Sequence, residues 1–370
     1  MGSRSLSNQR RMQGSLTTTI RWKTFQILSR VLLGRTFGGV SLACLDMENE
    51  QIFSDLRSHV SSRHHISGPE IVHYRYPSGV PAYFRPSSVY GTKDAWLLRD
   101  VFVSPKHGAI WTPEGRLIRE SVTNLEIFYS FEGPRETLLK ARFDDNPIPM
   151  VPFRSNLVYY HTLMDDVPQL LHAVDFQPES RVLLSPDHPR YIDDILSFFG
   201  VDPCRIVLSR RPLRVSSCVF VPKLTLTSFI RPCDLERLRT AVLSRMSLSG
   251  QNNRRIYISR RGTTQRAFRN EADVESALVS AGFEILRFEE MSFSDQLKSV
   301  HSAKTIVSPH GSALANLVAA REGTRVIEIM HPEWIRSTFP RLSSQLSLDH
   351  HCIFPSTNEI PIDQVLNLIA

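Results

Sequence analysis

Between Arg255 and Glu328 the chain alternates short apolar runs with stretches whose apolar residues recur three and four positions apart. Arg255-Ile256-Tyr257-Ile258-Ser259, Phe283 to Phe288, Thr305-Ile306-Val307 and Arg325 to Ile329 are rich in β-branched and aromatic residues and read as strands. Asn270 to about Ala281 reads as a helix, with Asn270 as its N-cap, Asp273 in the first turn and Gly282 closing it. Ser292 caps a second helix through Phe293, Leu297 and Val300. Strands alternating with helices predict right-handed parallel crossovers, and ligands then bind outside the carboxyl ends of the strands. Arg261 and His310 both fall at such ends.

The N-terminal half is patterned differently. From Ile71 to about Pro149 it is rich in Pro, Tyr and turn residues, with strand-like pieces at Ala95 to Leu98 and Leu125 to Tyr129, a β-rich lead-in. A helix after His161, strands at Arg181 to Leu184, Arg205 to Leu208 and Ser217 to Val221, and a helix near Tyr191 to Phe199 make a second α/β unit. Ser247 to Asn253, polar and containing Gly250, reads as the linker. The expected division is an arm at 1–46, an N-terminal domain at 47–246, a C-terminal domain at 247–350, and a terminal strand and helix at 351–370. The last helix, Ile362 to Ile369, is expected to pack back across the linker.

Chemistry concentrates at Ser308-Pro309-His310-Gly311-Ser312-Ala313-Leu314-Ala315-Asn316, a strand, a tight turn and a helix start. Such a junction presents backbone N–H groups and the positive end of a helix dipole to a phosphate. Glu328 ends the next strand, about where a nucleotide fold puts its ribose ligand. No G-x-G-x-x-G and no G-x-x-x-x-G-K-[ST] occurs, which disfavours a nicotinamide oxidoreductase. Arg260, Arg261 and Arg266 leave the strand before, where arginines fork onto a diphosphate or, more plainly, form a solvated basic loop. His161 and Asp165 are four apart and share one face of a helix, a pairing suited to a general base with an orienting partner. The plain alternative is an acidic helix surface at Asp165-Asp166 with His161 at the helix start.

Taken in order, these segments resemble glycosyltransferase family 61. Its signature runs S-R-R-G-x-x-x-R, N-E, G-F-E, S-F-x-x-Q, P-H-G-A-x-L-x-N and V-I-E. Here stand Ser259 to Gly262 with Arg266, Asn270-Glu271, Gly282 to Glu284, Ser292-Phe293 with Gln296, Pro309 to Gly311 with Leu314 and Asn316, and Val326 to Glu328. Asn156, His161 and Asp165 resemble the family's upstream element. Departures are Ser312 in place of Ala and Thr162 after the histidine. The resemblance implies an α/β fold of GT-B type, two Rossmann-like domains facing a central cleft. It implies an inverting transferase that moves a sugar from a nucleotide diphosphate, UDP, to a hydroxyl of a glycan, polysaccharide or protein. Asp165 would be the base, with His161 on the acceptor or a phosphate oxygen. Arg260, Arg261, Arg266, Ser308, His310, Gly311, Ser312, Ala313, Asn316 and Glu328 would hold the donor. A non-catalytic nucleotide-sugar or glycan-binding protein is the alternative. No Asp-x-Asp occurs, and the pairs His64-His65 and His350-His351 read as surface or loop residues, so no metal or other cofactor is expected.

Composition changes one point. The net charge of +7 is matched by seven basic residues and no acid in the first 45 positions, leaving 37 basic against 37 acidic residues in the remainder. The basic pI therefore describes an arm, and no nucleic-acid partner is expected. That arm reads as an amphipathic helix in peripheral contact with a membrane, a transit peptide, a disordered extension, or sequence upstream of a start at Met47. Five irregularly spaced cysteines form no disulfide framework and no Asn-x-Ser/Thr occurs, so a cytoplasmic protein is expected, with the inner membrane surface open to it through the arm.

Overall fold

The computed structural model describes residues 57–121, 140–154, 158–222, 230–246, 252–263 and 265–369. The basic arm, the strand read at Leu125 to Tyr129, Asn156 and most of the linker lie outside the described residues. Strands of the N-terminal half are β1 (Val60–Ser67), β2 (Glu70–His73), β3 (Ser87–Tyr90), β4 (Lys93–Val103), β5 (Ile110–Trp111), β6 (Arg142–Asp144), β7 (Met150–Pro152), β8 (Arg181–Leu184), β9 (Ile206–Leu208) and β10 (Leu213–Phe220). The C-terminal half supplies β11 (Arg254–Ile258), β12 (Glu284–Leu286), β13 (Ala303–Pro309), β14 (Arg325–Ile329) and β15 (Asp349–Ile353).

The chain is mixed α/β with parallel sheets, as expected. In the first sheet, ordered β1-β4-β10-β7-β8-β9, β1 and β10 each pair antiparallel with β4, while β7, β8 and β9 continue in parallel. This unit is therefore not purely parallel. Its turn-rich lead-in supplies antiparallel strands, whereas only the segment beyond Met150 has the helical crossovers that parallel pairing needs. The second sheet, β12-β11-β13-β14-β15, is parallel throughout. The strand expected from 351 is β15, beginning at Asp349 and paired with β14, so the boundary drawn at 350 falls inside a strand of this sheet.

The helices are α1 (Val167–Phe176), α2 (Tyr191–Phe198), α3 (Pro232–Arg245), α4 (Glu271–Ser280), α5 (Phe293–His301), α6 (Thr338–Gln345) and α7 (Ile362–Ile369). Alternation along the second sheet decides which helices lie on which face. Ile256, Ile258, Ile306 and Val326 point to one side, where they share a core with α5 and with α1, α2 and α3 from the N-terminal half. Tyr257, Val307, Ile327 and Ile329 point to the other, against Val274 and Leu278 of α4 and Val365 of α7. A layer of helices thus lies between two sheets, and its core draws on both halves of the chain. Helix α7 packs on α4, and carbonyls at its end accept from Arg255 and Arg325 of the sheet. No helix among the described residues is long and apolar enough to cross a membrane.

Asn270 precedes α4 as predicted but makes no cap bond with its side chain. Its amide donates to the Ile360 carbonyl at 2.9 Å and accepts from the Ile360 N–H at 2.8 Å, fastening the C-terminal segment instead. Ser292 does cap α5, accepting from the Asp295 N–H at 3.2 Å. Of the paired histidines, His64 and His65 are exposed, as expected, on β1, whereas His350 departs from expectation and is buried in β15.

One buried charge group ties the first sheet to its helices. Lys93, 2% exposed on β4, donates to both Asp234 oxygens at 2.6 and 2.7 Å, and His172 of α1 lies 3.0 Å from the same carboxylate. Burial pushes the Asp234 carboxyl up, but Lys93 and His172 outweigh it and bring it down to about 2. This folded value lies below the ~4 of an unfolded aspartate, so the stabilisation is complete above about pH 4 and fades as pH falls toward 2. Asp234→Asn leaves the ammonium without its counter-charge, and a loss of about 3 kcal/mol is expected at pH 7. Urea unfolding at pH 7 and pH 3 checks this, with the gap from wild type narrowing at pH 3.

Candidate active site

In the second sheet the chain leaves β11 toward β12 and returns on the opposite side as β13. This reversal opens a crevice beyond the carboxyl ends of β11 and β13, where open α/β sheets bind their ligands. Arg260 and Gly311 meet there. Gly311 has extended backbone (φ −174°), so its value is not a special turn. A Cβ placed on it would stand 2.1 Å from Arg260 Nη1 and 3.2 Å from Arg260 Cδ. The absent side chain is what lets the guanidinium lie across the loop. Arg260 N–H donates to Glu271 Oε1 at 2.6 Å and Nη2 donates to the Gln265 carbonyl at 3.2 Å, while its buried Nε has no partner among the described residues. Burial lowers its pKa, the mark of a cation held in poorly solvated surroundings.

The crevice widens into two chambers that share Ser312. One, of about 790 Å³, is walled by Tyr159, Tyr191, Phe293, Asp193, Asp194 and Arg260. The other, of about 610 Å³, brings together His161, His310, Arg266, Trp334 and Arg336. Ser312 opens a helical turn, Ser312–Ala319, in which the first intraturn bond is from Leu314 N–H to the Gly311 carbonyl, so the Ser312 and Ala313 amides have no acceptor within the turn.

Both histidines of the second chamber are backed by carboxylates. His161 ends the turn Tyr159–His161, and the chain continues as a π-helical turn, Thr162–Asp166, before α1. His161 Nδ1–H donates to Asp165 Oδ2 at 2.6 Å, which leaves Nε2 as the basic nitrogen. Asp165 is 7% exposed and lines neither chamber. Asp166 is also buried and accepts from Arg154 Nε at 2.6 Å, so the two acids are not a helix surface. Burial raises the Asp166 carboxyl, against the pull of Arg154.

His310 Nδ1–H donates to Glu328 Oε1 at 2.5 Å, and His350 Nε2–H donates to Glu328 Oε2 at 3.1 Å. Glu328 is 0% exposed. Burial would raise its carboxyl, but the two imidazoles outweigh that and hold it below the ordinary range. The structure thus places Glu328 behind His310, lining neither chamber.

The remaining predicted residues divide. Gly311, Ser312 and Ala313 line the chambers, as does Arg266, whose backbone has φ 56° and whose guanidinium lies 5.4 Å from the Trp334 ring centre. Arg261 is paired with Glu275 at 3.3 Å and lines neither. Ser308 is buried and donates to the carbonyls of Ile258 and Pro309. Asn316 accepts from Tyr159 O–H at 2.7 Å and donates to Gln296 Oε1 at 3.0 Å, a link between the halves. Residues the sequence reading missed are Tyr159, Asp193, Asp194, Arg85, Trp334 and Arg336. Only Tyr159, inside the upstream motif, carried a signal.

Two groups have metal-type donors within 4.8 Å of one another: Glu328, His350 and Cys352, and His172, Cys233 and Asp234. In the first, burial raises the Cys352 thiol and Glu328 already accepts from two imidazoles. In the second, Lys93 takes both Asp234 oxygens. Neither donor set is suited to a cation as it stands.

Asn316 is 0% exposed, so Asn316→Ala strands both Tyr159 O–H and Gln296 without a partner. A loss of about 2 kcal/mol is expected, read as a lower urea midpoint, while Asn316→Asp restores the acceptor for Tyr159 only.

Residues 159–327 match the family model described as Glycosyltransferase 61. The chain is also similar to Beta-1,2-xylosyltransferase RCN11 of Oryza sativa subsp. japonica, 29% identical over 83 residues, which cover 22% of this chain and 16% of the rice protein. The matched span begins at Tyr159 and takes in His161 and Asp165, the Arg260 loop and the Gly311 turn; it holds the lining of the larger chamber, whereas much of the smaller one, including Arg85, Trp334 and Arg336, lies outside it. Residues 159–327, a little under half of the chain, are thus similar to the glycosyltransferase 61 family, in agreement with the resemblance its motifs carry.

Proposed function

We propose that the protein is an inverting, metal-independent glycosyltransferase that moves a sugar from UDP to an acceptor hydroxyl in cell-surface polysaccharide or glycan synthesis. The carrying observation is that a carboxylate-backed imidazole, His161, and a half-buried guanidinium, Arg260, line two chambers that meet at Ser312. Two α/β halves with the chambers where they meet are compatible with a GT-B arrangement.

In this reading the nucleoside occupies the larger chamber, against Tyr159 and Tyr191, with its ribose hydroxyls toward Asp193 and Asp194. The diphosphate lies at Arg260, Arg266 and the Ser312 and Ala313 amides, which balance the charge that grows as the sugar–phosphate bond breaks. His161 Nε2 takes the acceptor proton, and the freed oxygen attacks the anomeric carbon opposite the leaving diphosphate, inverting it. Asp165 steadies the imidazolium from behind. The base is thus His161 rather than Asp165, because only the imidazole reaches a chamber. Charge compensation by arginines and amides fills the role a divalent ion would otherwise serve. The rice relative's name makes UDP-xylose the first donor to try, with hexose donors beside it.

Thermal shift with UDP, GDP, CMP, ADP and NAD, each with Mg²⁺ and with EDTA, tests the reading. UDP at a hundredfold over its Kd is expected to stabilise by about 2.7 kcal/mol, equally in Mg²⁺ and EDTA. Arg260→Ala loses the shift, whereas His161→Gln keeps it and lowers kcat for transfer by about 10²- to 10⁴-fold. A shift that vanishes in EDTA removes metal independence, and a response to NAD alone removes the donor assignment.

A further inference from the structure

The smaller chamber carries more positive charge than a nucleotide-sugar requires. Arg85, Arg266, Arg336 and Arg341 line it together with His161 and His310, and among the described residues no Asp or Glu does. Arg341 is spoken for: it is 3% exposed, donates from Nε to Tyr76 O–H at 2.8 Å, and lies 5.2 Å from the Tyr74 ring centre. Arg266 belongs to the diphosphate in the reading above. Arg85 and Arg336 remain, on opposite margins of the chamber in sequence, one before β3 and one after β14. Neither has a carboxylate partner among the described residues.

Arg336 is also held in place. Its guanidinium lies 4.0 Å from the Trp334 ring centre, and Trp334 N–H donates to the His331 carbonyl at 2.8 Å, in an antiparallel bridge that fixes the loop. Several surface arginines elsewhere are compensated, Arg210 by Asp187, Arg214 by Asp100, Arg237 by Asp175 and Arg254 by Glu284. Guanidiniums gathered around a recess without acids repel one another, and a bound anion removes that repulsion. Exposed Tyr83 stands beside Arg85 at the same rim, an apolar face against which a sugar ring can lie.

We infer that the acceptor is an anionic glycan, whose carboxylate- or phosphate-bearing sugar units are read by Arg85 and Arg336 at the mouth of the second chamber. The inference rests on the donor occupying the first chamber, as proposed above. Charge at these two positions then selects the acceptor without contacting the nucleotide.

Binding of sugar probes to the full chain tests it, with UDP present and absent. The probes are a trigalacturonate, a phosphorylated mannose trisaccharide and neutral xylotriose. At least one anionic probe is expected to bind ten-fold or more tightly than xylotriose, with affinity falling as salt rises, and which of the two binds identifies the anionic group. Arg85→Gln combined with Arg336→Gln is expected to abolish that preference while leaving the UDP thermal shift unchanged, which also shows that the variant is folded. Equal binding of all three probes by wild type overturns the inference, as does a double variant that retains the preference. A double variant that loses the UDP shift overturns it too, by assigning these arginines to the diphosphate. Absence of a UDP shift in wild type is the distinct failure of the donor reading, and an anionic preference measured without nucleotide then still supports the acceptor site.

Discussion

The approach of the Arg260 guanidinium to the Gly311 backbone is the contact on which the site depends. It exists because the parallel sheet reverses direction between β11 and β13, so two loops leave adjacent strand ends with nothing inserted between them. A side chain on Gly311 would meet the end of the flexible Arg260 side chain and displace the guanidinium from the loop, so glycine is favoured here by proximity rather than by a backbone angle. Desolvating a cation is costly, and what offsets it is the surroundings: the carboxylate of Glu271 receives the Arg260 backbone N–H, and the Gln265 carbonyl receives one guanidinium arm. A charge left partly uncompensated in this way is poised for an anion.

Each histidine of the cleft obeys a second constraint, that an imidazole acts predictably only when one nitrogen is committed. Asp165 commits Nδ1 of His161 and Glu328 commits Nδ1 of His310. The two arrangements use different structural means. For His161 the means is a π-helical turn, which keeps acid and base on one stretch of helix while turning the acid inward. For His310 it is the parallel register of β13 and β14, which sets Ser308 beside Glu328 and so brings the residue two places on within reach of that carboxylate. Glu328 receives His350 on its other oxygen from β15, and Ser343 lies 2.7 Å from His350 Nδ1, so the chain of hydrogen bonds runs from the cleft to α6. No link in it is exposed to water, which keeps the tautomer of each ring fixed.

How much of this was legible in the sequence depends on how local the cause is. The strands of the C-terminal sheet, the Ser292 cap and the terminal helix follow from periodicity and capping chemistry within a few residues, and all were readable. So was the pairing of His161 with Asp165, because four residues of helix fix it. Which member of that pair meets the cleft was not readable, since it depends on the π turn and on Arg154 drawing Asp166 inward. The partners of Glu328 were unreadable for a similar reason: its position at a strand end is local, but His350 lies 22 residues on, across a register that only the folded sheet defines. Arg261 and Arg266 looked equivalent in sequence. Glu275, one helical turn beyond Glu271 on α4, takes the first, and the positive φ of Arg266 turns the second toward Trp334.

The helical layer between the two sheets explains why the cleft is a fixed shape. Aromatic contacts cross it, with Phe293 of α5 standing 5.0 Å from Phe198 and 6.5 Å from Tyr159, ring centre to ring centre. Tyr159 O–H reaches Asn316 at the same junction, so a wall of the larger chamber is also a member of the shared core. Moving one half against the other would break close-packed contacts and strand buried hydrogen-bonding groups together, an expense far above thermal energy. The smaller chamber differs, because its outer rim is formed by Tyr83, Arg85, Trp334 and Arg336, all exposed and outside the strands and helices. Rigid parts thus hold the reacting groups, while the exposed rim, outside the shared core, is where sequence change can alter which molecule is admitted without disturbing His161, His310 or Arg260.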